Sequence, residues 1–204
     1  MTQTKIERRV FTLEVRASDD SPKITGHAAV FNTPTDIGGL FREQIAPGAF
    51  SVAINRDDVK CLFNHNPDFV LGRNRAGTLR LSEDEVGLRF ECDVPDTQWG
   101  RDVLTSIRRG DISQCSFGFI VSDKGQKWDR SVNPPLRTVT ACELFDVSPV
   151  TFPAYAGTDC QTRSAQDVLD EFGTAQPETP VAPDYRIDLS AKLAVISALA
   201  TTDF

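Results

Sequence analysis

Histidine is the side chain best suited to accept and return a proton near neutral pH, and the chain has two, His27 and His65. His65 closes the apolar segment VKCLFNH and enters the polar loop NHNPDF, where an imidazole can meet both core-anchored partners and solvent. His27 lies inside the alternating segment ITGHAAVF, between small residues. A mechanism that needs histidine therefore favours His65, although position alone leaves a structural role open for either ring.

Ser116 has the sequence setting that best suits a nucleophile. In the segment GDISQCSFGFIVSD, alternation puts Cys115 with three apolar residues on a predicted core face, and Ser116 with Gly118 on the other. A nucleophile needs a rigid backbone and an open face, and Gly118 would let a substrate backbone approach closely. The alternative is an ordinary, partly exposed strand serine. Cys115 is the weaker nucleophile because a core-facing thiol is normally inert.

Two carboxylates, Glu143 and Asp146, lie in the apolar run CELFDVSPV. They are three residues apart and so point to opposite faces of a strand, which means that only one of them can orient His65. A buried carboxylate is costly unless it is paired, so an acid in this run is expected to have a partner. The residues leave open whether that partner is an imidazole or an arginine.

Other kinds of site lack support in the sequence. The chain has no G-x-S-x-G elbow, no H-E-x-x-H pair and no glycine-rich phosphate loop. Its five scattered cysteines form no C-x-x-C pair, so they are interpreted as reduced thiols; they are Cys61, Cys92, Cys115, Cys142 and Cys160. We therefore predict no metal and no cofactor.

Charge and hydropathy narrow the class of partner. The net charge of −7 argues against nucleic acid, because binding phosphates needs a basic surface. The N-terminal residues carry charges where a signal peptide needs an apolar stretch, and no run of apolar residues is long enough to span a membrane. A soluble, intracellular protein is expected.

The elements that must position these side chains are mostly strands. Short β-rich runs over residues 8–16, 24–31, 59–65 and 138–152 and a hairpin over 78–94 predict mainly antiparallel sheet, with 8–16 and 24–31 as an opening pair. Trp99, Val103 and Ile107 recur every four residues before Gly110, which predicts a helix over residues 97–109.

The composition changes beyond Cys160. A short helix is predicted over residues 164–172, followed by a Pro/Ala/acidic linker and an apolar helical stripe that includes Leu189, Leu193 and Ile196. We therefore predict one domain over residues 1–160 and a helical, flexible tail over 161–204.

Four segments occur in an order and spacing that resemble the prohead proteases of HK97-like phages: GHAAVFNTPTDIGGLFREQIAPGAF, LFNHNPDFVLGR, ISQCSFGF and ELFDVSPVTFPAY. The resemblance covers roughly residues 8–160. It implies an α+β, mainly β fold like that of the herpesvirus assembly proteases (assemblins), a β-barrel of mostly antiparallel strands surrounded by helices.

The resemblance also implies function and site. It implies a serine endopeptidase, inside the immature capsid in the host cytoplasm, that cleaves scaffold and major capsid protein and then itself. His65 and Ser116 correspond to the catalytic pair of that family, and Asp146 to the acid, with Glu143 in reserve because many relatives have glutamate at that position. The rival hypothesis is a non-enzymatic, scaffold-like capsid assembly factor.

Two further expectations come by analogy with the herpesvirus enzymes. An arginine-bearing loop there supplies the oxyanion hole, which makes Gly72 and Arg73 in the segment LGRNRAG the candidates here. The second histidine of those enzymes is not carried over to His27. The sequence does not indicate which oligomeric state the protein adopts.

Overall fold

A computed structural model of the chain describes residues 6–11, 15–18 and 21–152. The chain divides into two compact units, Met1–Thr174 and Ala175–Phe204, and all described residues belong to the first. The predicted domain boundary after residue 160, and the tail with its helices, lie outside the described residues.

Strands dominate the described part of the chain, with 50% of residues against 15% in helices. The strands are β1 (Glu7–Phe11), β2 (Arg16–Ala17), β3 (Lys23–Val30), β4 (Thr35–Ile37), β5 (Phe41–Ile45), β6 (Lys60–Phe63), β7 (Asn66–Arg73), β8 (Leu79–Glu83), β9 (Gly87–Asp93), β10 (Gln114–Ile120), β11 (Gln126–Asp129), β12 (Leu136–Val139) and β13 (Glu143–Val150). The α-helices are α1 (Ala53–Arg56) and α2 (Gln98–Arg108), and short 3₁₀ turns cover Asn74–Ala76 and Asp123–Gly125.

These strands form three sheets. A five-stranded sheet has the order β1-β10-β13-β6-β7, and two four-stranded sheets have the orders β11-β12-β5-β4 and β2-β3-β9-β8. The pairs β13–β6 and β12–β5 are parallel, and the other strand pairs are antiparallel. The strand β13 therefore lies between β10 and β6.

The predicted barrel surrounded by helices is wrong. Each of the three sheets is open at both edges within residues 6–152, and the two described α-helices have four and eleven residues, too few to surround them. Alternating strands and short turns predict which segments form strands, but closure depends on pairing between strands far apart in the chain.

The helix predicted over residues 97–109 is confirmed as α2. Thr97 caps it, because the Thr97 side chain accepts a hydrogen bond from the Gly100 amide. Val103 and Ile107 are buried on its inner face, and Gly110 follows with a positive φ of 81°.

The predicted opening pair is only partly correct. Strand β2 pairs with β3, but β1 leaves that sheet and pairs with β10, where Val10 lies opposite Ser116. The N-terminal strand thus forms the edge of the five-stranded sheet beside the strand that carries the predicted nucleophile.

A buried ionic cluster, formed by Glu7, Arg9, Glu43 and Arg137, holds β1 against the second sheet. Arg9 Nε lies 2.6 Å from Glu43 Oε1, and the Arg137 guanidinium lies 2.7 Å from both Glu7 and Glu43. Arg9 also reaches Glu7 at 2.7 Å. Glu7 and Arg9 belong to β1, while Glu43 and Arg137 belong to β5 and β12, so the cluster connects two sheets.

Candidate active site

His65 sits at the tip of the β6–β7 hairpin. Phe63 and Asn66 are partners in the ladder, so Asn64 and His65 form a two-residue turn, with φ of 54° and 57°. Positive φ at both positions is the requirement of a type I′ hairpin turn, and asparagine and histidine tolerate it better than most residues. The turn holds the imidazole where its two ring nitrogens face Asp146 and Ser116.

Asn64 fixes this turn to β13. Its amide donates to the carbonyl of Pro149 at 3.0 Å, and its side-chain oxygen accepts from the Thr151 amide at 2.9 Å. The turn is therefore attached both to the strand that carries Asp146 and to the residue directly after it, which limits how far the His65 ring can move from that strand.

Ser116 lies in the middle of β10, where the predicted core face is correct: Cys115, Phe117 and Phe119 are fully buried. Phe117 packs edge-on against Phe50, with ring centroids 5.5 Å apart. Ser116 was predicted to lie on an open face of the strand, but in the structure it is 0% exposed. The physical reason is its central place, between β1 and β13 in the sheet and within hydrogen-bond distance of the His65 ring.

One hydrogen-bonded series joins the three predicted residues. His65 Nδ1 lies 2.6 Å from Asp146 Oδ1, and His65 Nε2 lies 2.7 Å from Ser116 Oγ. An ionised carboxylate only accepts hydrogen bonds, so Nδ1 donates to Asp146 and Nε2 accepts from the Ser116 hydroxyl. The side chains of His65 and Asp146 are 12% and 9% exposed, so the series is largely shielded from water.

The Asp146 carboxylate has two further neighbours that were not predicted to hold it. Ser148 Oγ donates to Asp146 Oδ1 at 2.5 Å, and Asp146 Oδ2 occupies the space that a side chain at Gly118 would fill. Asp146 and Gly118 are partners in the β10–β13 ladder, as are Ser148 and Ser116. The two-residue period of a strand puts Asp146 and Ser148 on one face, but the sequence alone does not say that this face meets Gly118.

The reserve acid and the second histidine lie elsewhere. Glu143 is exposed at the start of β13, where it lines a surface cavity of about 580 Å³ together with Arg56, Lys60 and Arg75. His27 Nε2 lies 2.8 Å from Asp84, on a different sheet from Ser116. Neither residue hydrogen-bonds with His65 or Ser116.

Gly72 and Arg73 also lie apart from the series. In the β6–β7 hairpin they pair with Cys61 and Lys60, at the opposite end from the turn that carries His65. The Arg73 guanidinium is held by Asp58 at 2.6 Å and 2.7 Å. The structure does not bring these two oxyanion candidates to Ser116.

The described cysteines are buried thiols, as predicted for Cys115. Burial raises the pKa of Cys115 and Cys61 above its ordinary range, and raises the pKa of Cys142 to about 12. A thiolate is the reactive form of cysteine, so these thiols are poor nucleophiles at neutral pH. Within residues 6–11, 15–18 and 21–152, no group of three or more histidine, cysteine or acidic side chains is placed to hold a metal ion.

A carboxylate, an imidazole and a hydroxyl in this order form the arrangement found in serine hydrolases, where the imidazole takes the hydroxyl proton. A family model described as caudovirus prohead serine protease matches residues 11–171. The match covers most of the chain, which therefore belongs to that family and is a serine protease, as the sequence resemblance predicted. The family implies capsid maturation within the phage procapsid, with capsid proteins as substrates.

No curated protein and no solved structure matches the chain. In the part of the chain that the structure describes, no helix has the length and apolar character needed to cross a membrane.

Proposed function

We propose that this chain is the endopeptidase that cleaves the major capsid protein and the scaffold during procapsid maturation, with Ser116 as nucleophile, His65 as general base and Asp146 as the acid that orients His65. The observation that carries the proposal is the unbroken hydrogen-bonded series from Asp146 through His65 to Ser116. Its distances of 2.6 Å and 2.7 Å are within the reach required for proton transfer.

The proposed reaction is acyl transfer in two halves. His65 Nε2 takes the proton of Ser116 as Oγ attacks the scissile carbonyl carbon, and the imidazolium then gives this proton to the leaving amine. Water, deprotonated by the same nitrogen, then attacks the acyl carbon. The ester bond to Oγ breaks, the imidazolium returns the proton to Ser116 Oγ, and the carboxyl product leaves. Asp146 holds the proton on Nδ1 throughout, which leaves Nε2 free to accept, and it stabilises the imidazolium.

Co-expression with the major capsid protein and scaffold tests the proposal. Wild type is expected to shorten both partners, while Ser116→Ala, His65→Ala and Asp146→Asn each leave them at full length on gels and by mass spectrometry. The chain itself is also expected to be shortened in wild type and intact in Ser116→Ala, because self-cleavage needs the same hydroxyl.

The chain supplies a matched control for each variant. His27 pairs with its own aspartate on another sheet, Ser82 is an exposed strand serine, and Glu143 is the exposed acid of β13. His27→Ala, Ser82→Ala and Glu143→Gln should therefore cleave like wild type. Equal processing by wild type and Ser116→Ala, or processing by none, would refute the assignment and favour a scaffold-like assembly factor.

A further inference from the structure

We propose that Ser148 is a positioning residue of the protease: its hydroxyl holds the Asp146 carboxylate in the orientation that His65 needs. The proposal rests on the catalytic roles proposed above for Ser116, His65 and Asp146. It adds a residue that does not touch the reacting atoms and acts through the acid.

The first observation is which oxygen Ser148 binds. Its Oγ donates to Asp146 Oδ1 at 2.5 Å, and this is the same oxygen that faces His65 Nδ1 at 2.6 Å. Two donors from different directions therefore converge on one carboxylate oxygen. Rotation of the carboxyl group away from His65 breaks both hydrogen bonds at once, so each donor restrains the orientation on which the other depends.

The second observation is burial. Ser148 is 0% exposed, and the Asp146 side chain is 9% exposed, so water does not readily replace the hydroxyl as a donor. A buried carboxylate that loses a donor carries an uncompensated desolvation cost. Hydrogen bonds to an ionised group are among the stronger ones in proteins, which makes this donor a substantial restraint.

The third observation is the register of β10 and β13. Ser148 lies directly opposite Ser116, and Asp146 lies directly opposite Gly118. Opposite residues of an antiparallel pair project to the same face. The nucleophile, the acid and Ser148 are thus fixed to one another by two pairs in one ladder, which are separated by the single pair Phe117–Val147.

A pair of nearly isosteric variants isolates the hydroxyl. Ser148→Thr keeps it and adds a methyl group, whereas Ser148→Val has the same shape as threonine and no hydroxyl. The readout is steady-state cleavage of a peptide that spans the processed site of the major capsid protein. We expect Val to lower kcat by roughly ten- to hundred-fold with KM unchanged, as for a misplaced catalytic group. Thr should stay near wild type.

A spectroscopic readout separates positioning from a general loss of structure. The proton between His65 Nδ1 and Asp146 is expected to give a low-field NMR signal in wild type and Ser148→Thr, and to shift or broaden in Ser148→Val. Denaturant unfolding of all three proteins shows whether they fold equally well. If the added methyl group prevents folding, Ser148→Ala is compared with wild type by the same measurements.

Equal kcat values for Thr and Val, with the low-field signal retained in both, would overturn the proposal. If Ser148→Ala is used in place of Ser148→Val, a wild-type kcat and a retained low-field signal in Ser148→Ala would overturn the proposal as well. This failure is distinct from failure of the proposed function, because Ser116→Ala would still be inactive. If Ser116→Ala cleaves the peptide as well as wild type, the catalytic assignment itself is wrong.

Discussion

The hydroxyl of Ser116 and the thiol of Cys115 are adjacent in the chain, yet their surroundings differ. Ser116 Oγ donates to an imidazole, whereas the Cys115 side chain is enclosed in the core and burial raises its pKa. The reactive thiolate is therefore scarce at neutral pH, while the serine has a base beside it.

Selective reagents test this contrast. A fluorophosphonate should label wild type but not Ser116→Ala, and iodoacetamide at pH 7 should leave peptidase activity unchanged. Cys160 lies outside the described residues, so the experiment uses Cys160→Ser, with labelling measured by mass spectrometry. Loss of activity on alkylation of Cys115 in native protein would contradict the assignment of Ser116 as nucleophile.

Single residues were partly predictable from the sequence. The polar loop after an apolar strand favoured His65 over His27, and alternation assigned Cys115 to the core. Both inferences depend on neighbours in the chain. The role of Ser148 was not predicted, because a serine two positions after the acid is informative only once the strand opposite it is known.

At the scale of elements, the contact between Gly118 of β10 and Asp146 of β13 sets how close the Asp146 carboxylate can lie to β10. A Cβ atom at Gly118 would collide with Asp146 Oδ2. From the sequence, Gly118 is expected to let a substrate backbone approach closely, whereas in the structure it makes room for the Asp146 carboxylate.

Gly118→Ala should lower kcat by moving the carboxylate and should destabilise the fold by roughly 1–3 kcal/mol, as overpacking does. The measurement is a double-mutant cycle by urea unfolding. In the Asp146→Ala background the carboxylate is gone, so Gly118→Ala should cost much less. An equal cost in both backgrounds would show that the glycine is needed for another reason.

Elements with local signals were predicted well, and the contacts between elements were not. The helix α2 follows from a four-residue apolar period ending at Gly110, and the β8–β9 hairpin follows from alternation around an acidic turn. The ladder between β10 and β13 joins residues about 30 positions apart. Nothing in either segment alone specifies its register, which is set by packing of the buried face.

Across the whole molecule, the ionic cluster attaches the N-terminal strand to the second sheet. Burial alone would raise the pKa of Glu43, but Arg9 and Arg137 outweigh burial and hold that pKa below its ordinary value of 4.5. At pH values between the folded and unfolded pKa of Glu43, the unfolded chain binds more protons than the folded chain. The stability that ionised Glu43 contributes is therefore present above about pH 4.5 and is lost as the pH falls through the folded pKa.

Arg137→Ala should destabilise the protein by roughly 3–5 kcal/mol, because it leaves buried carboxylates with fewer cations. It should also flatten the acid dependence of stability, since Glu43 then has a less depressed pKa. Urea unfolding from pH 7 to pH 3 measures both effects. The control is Arg8→Ala, on the exposed face of β1, which should unfold like wild type. An unchanged acid slope in Arg137→Ala would contradict this account of the cluster.

The architecture was the least predictable level. The abundance of strands was evident from the sequence, but the expected closed barrel is three open sheets in the described residues. The N-terminal run over residues 8–16 was predicted as one strand, and it contributes to two sheets. Glu7 and Arg9, at its beginning, form ion pairs with residues on β5 and β12, and no local pattern shows these partners.

The position of β13 between β10 and β6 determines when the proposed active site can form during synthesis. A nascent chain that has released His65 and Ser116 from the ribosome, but not residues 143–150, lacks the strand that pairs with both β10 and β6. It also lacks the acid. The proposed hydrolytic centre can therefore assemble only after residues 143–150 have emerged, and until then the growing polypeptide is expected to be an inert precursor of its own enzyme.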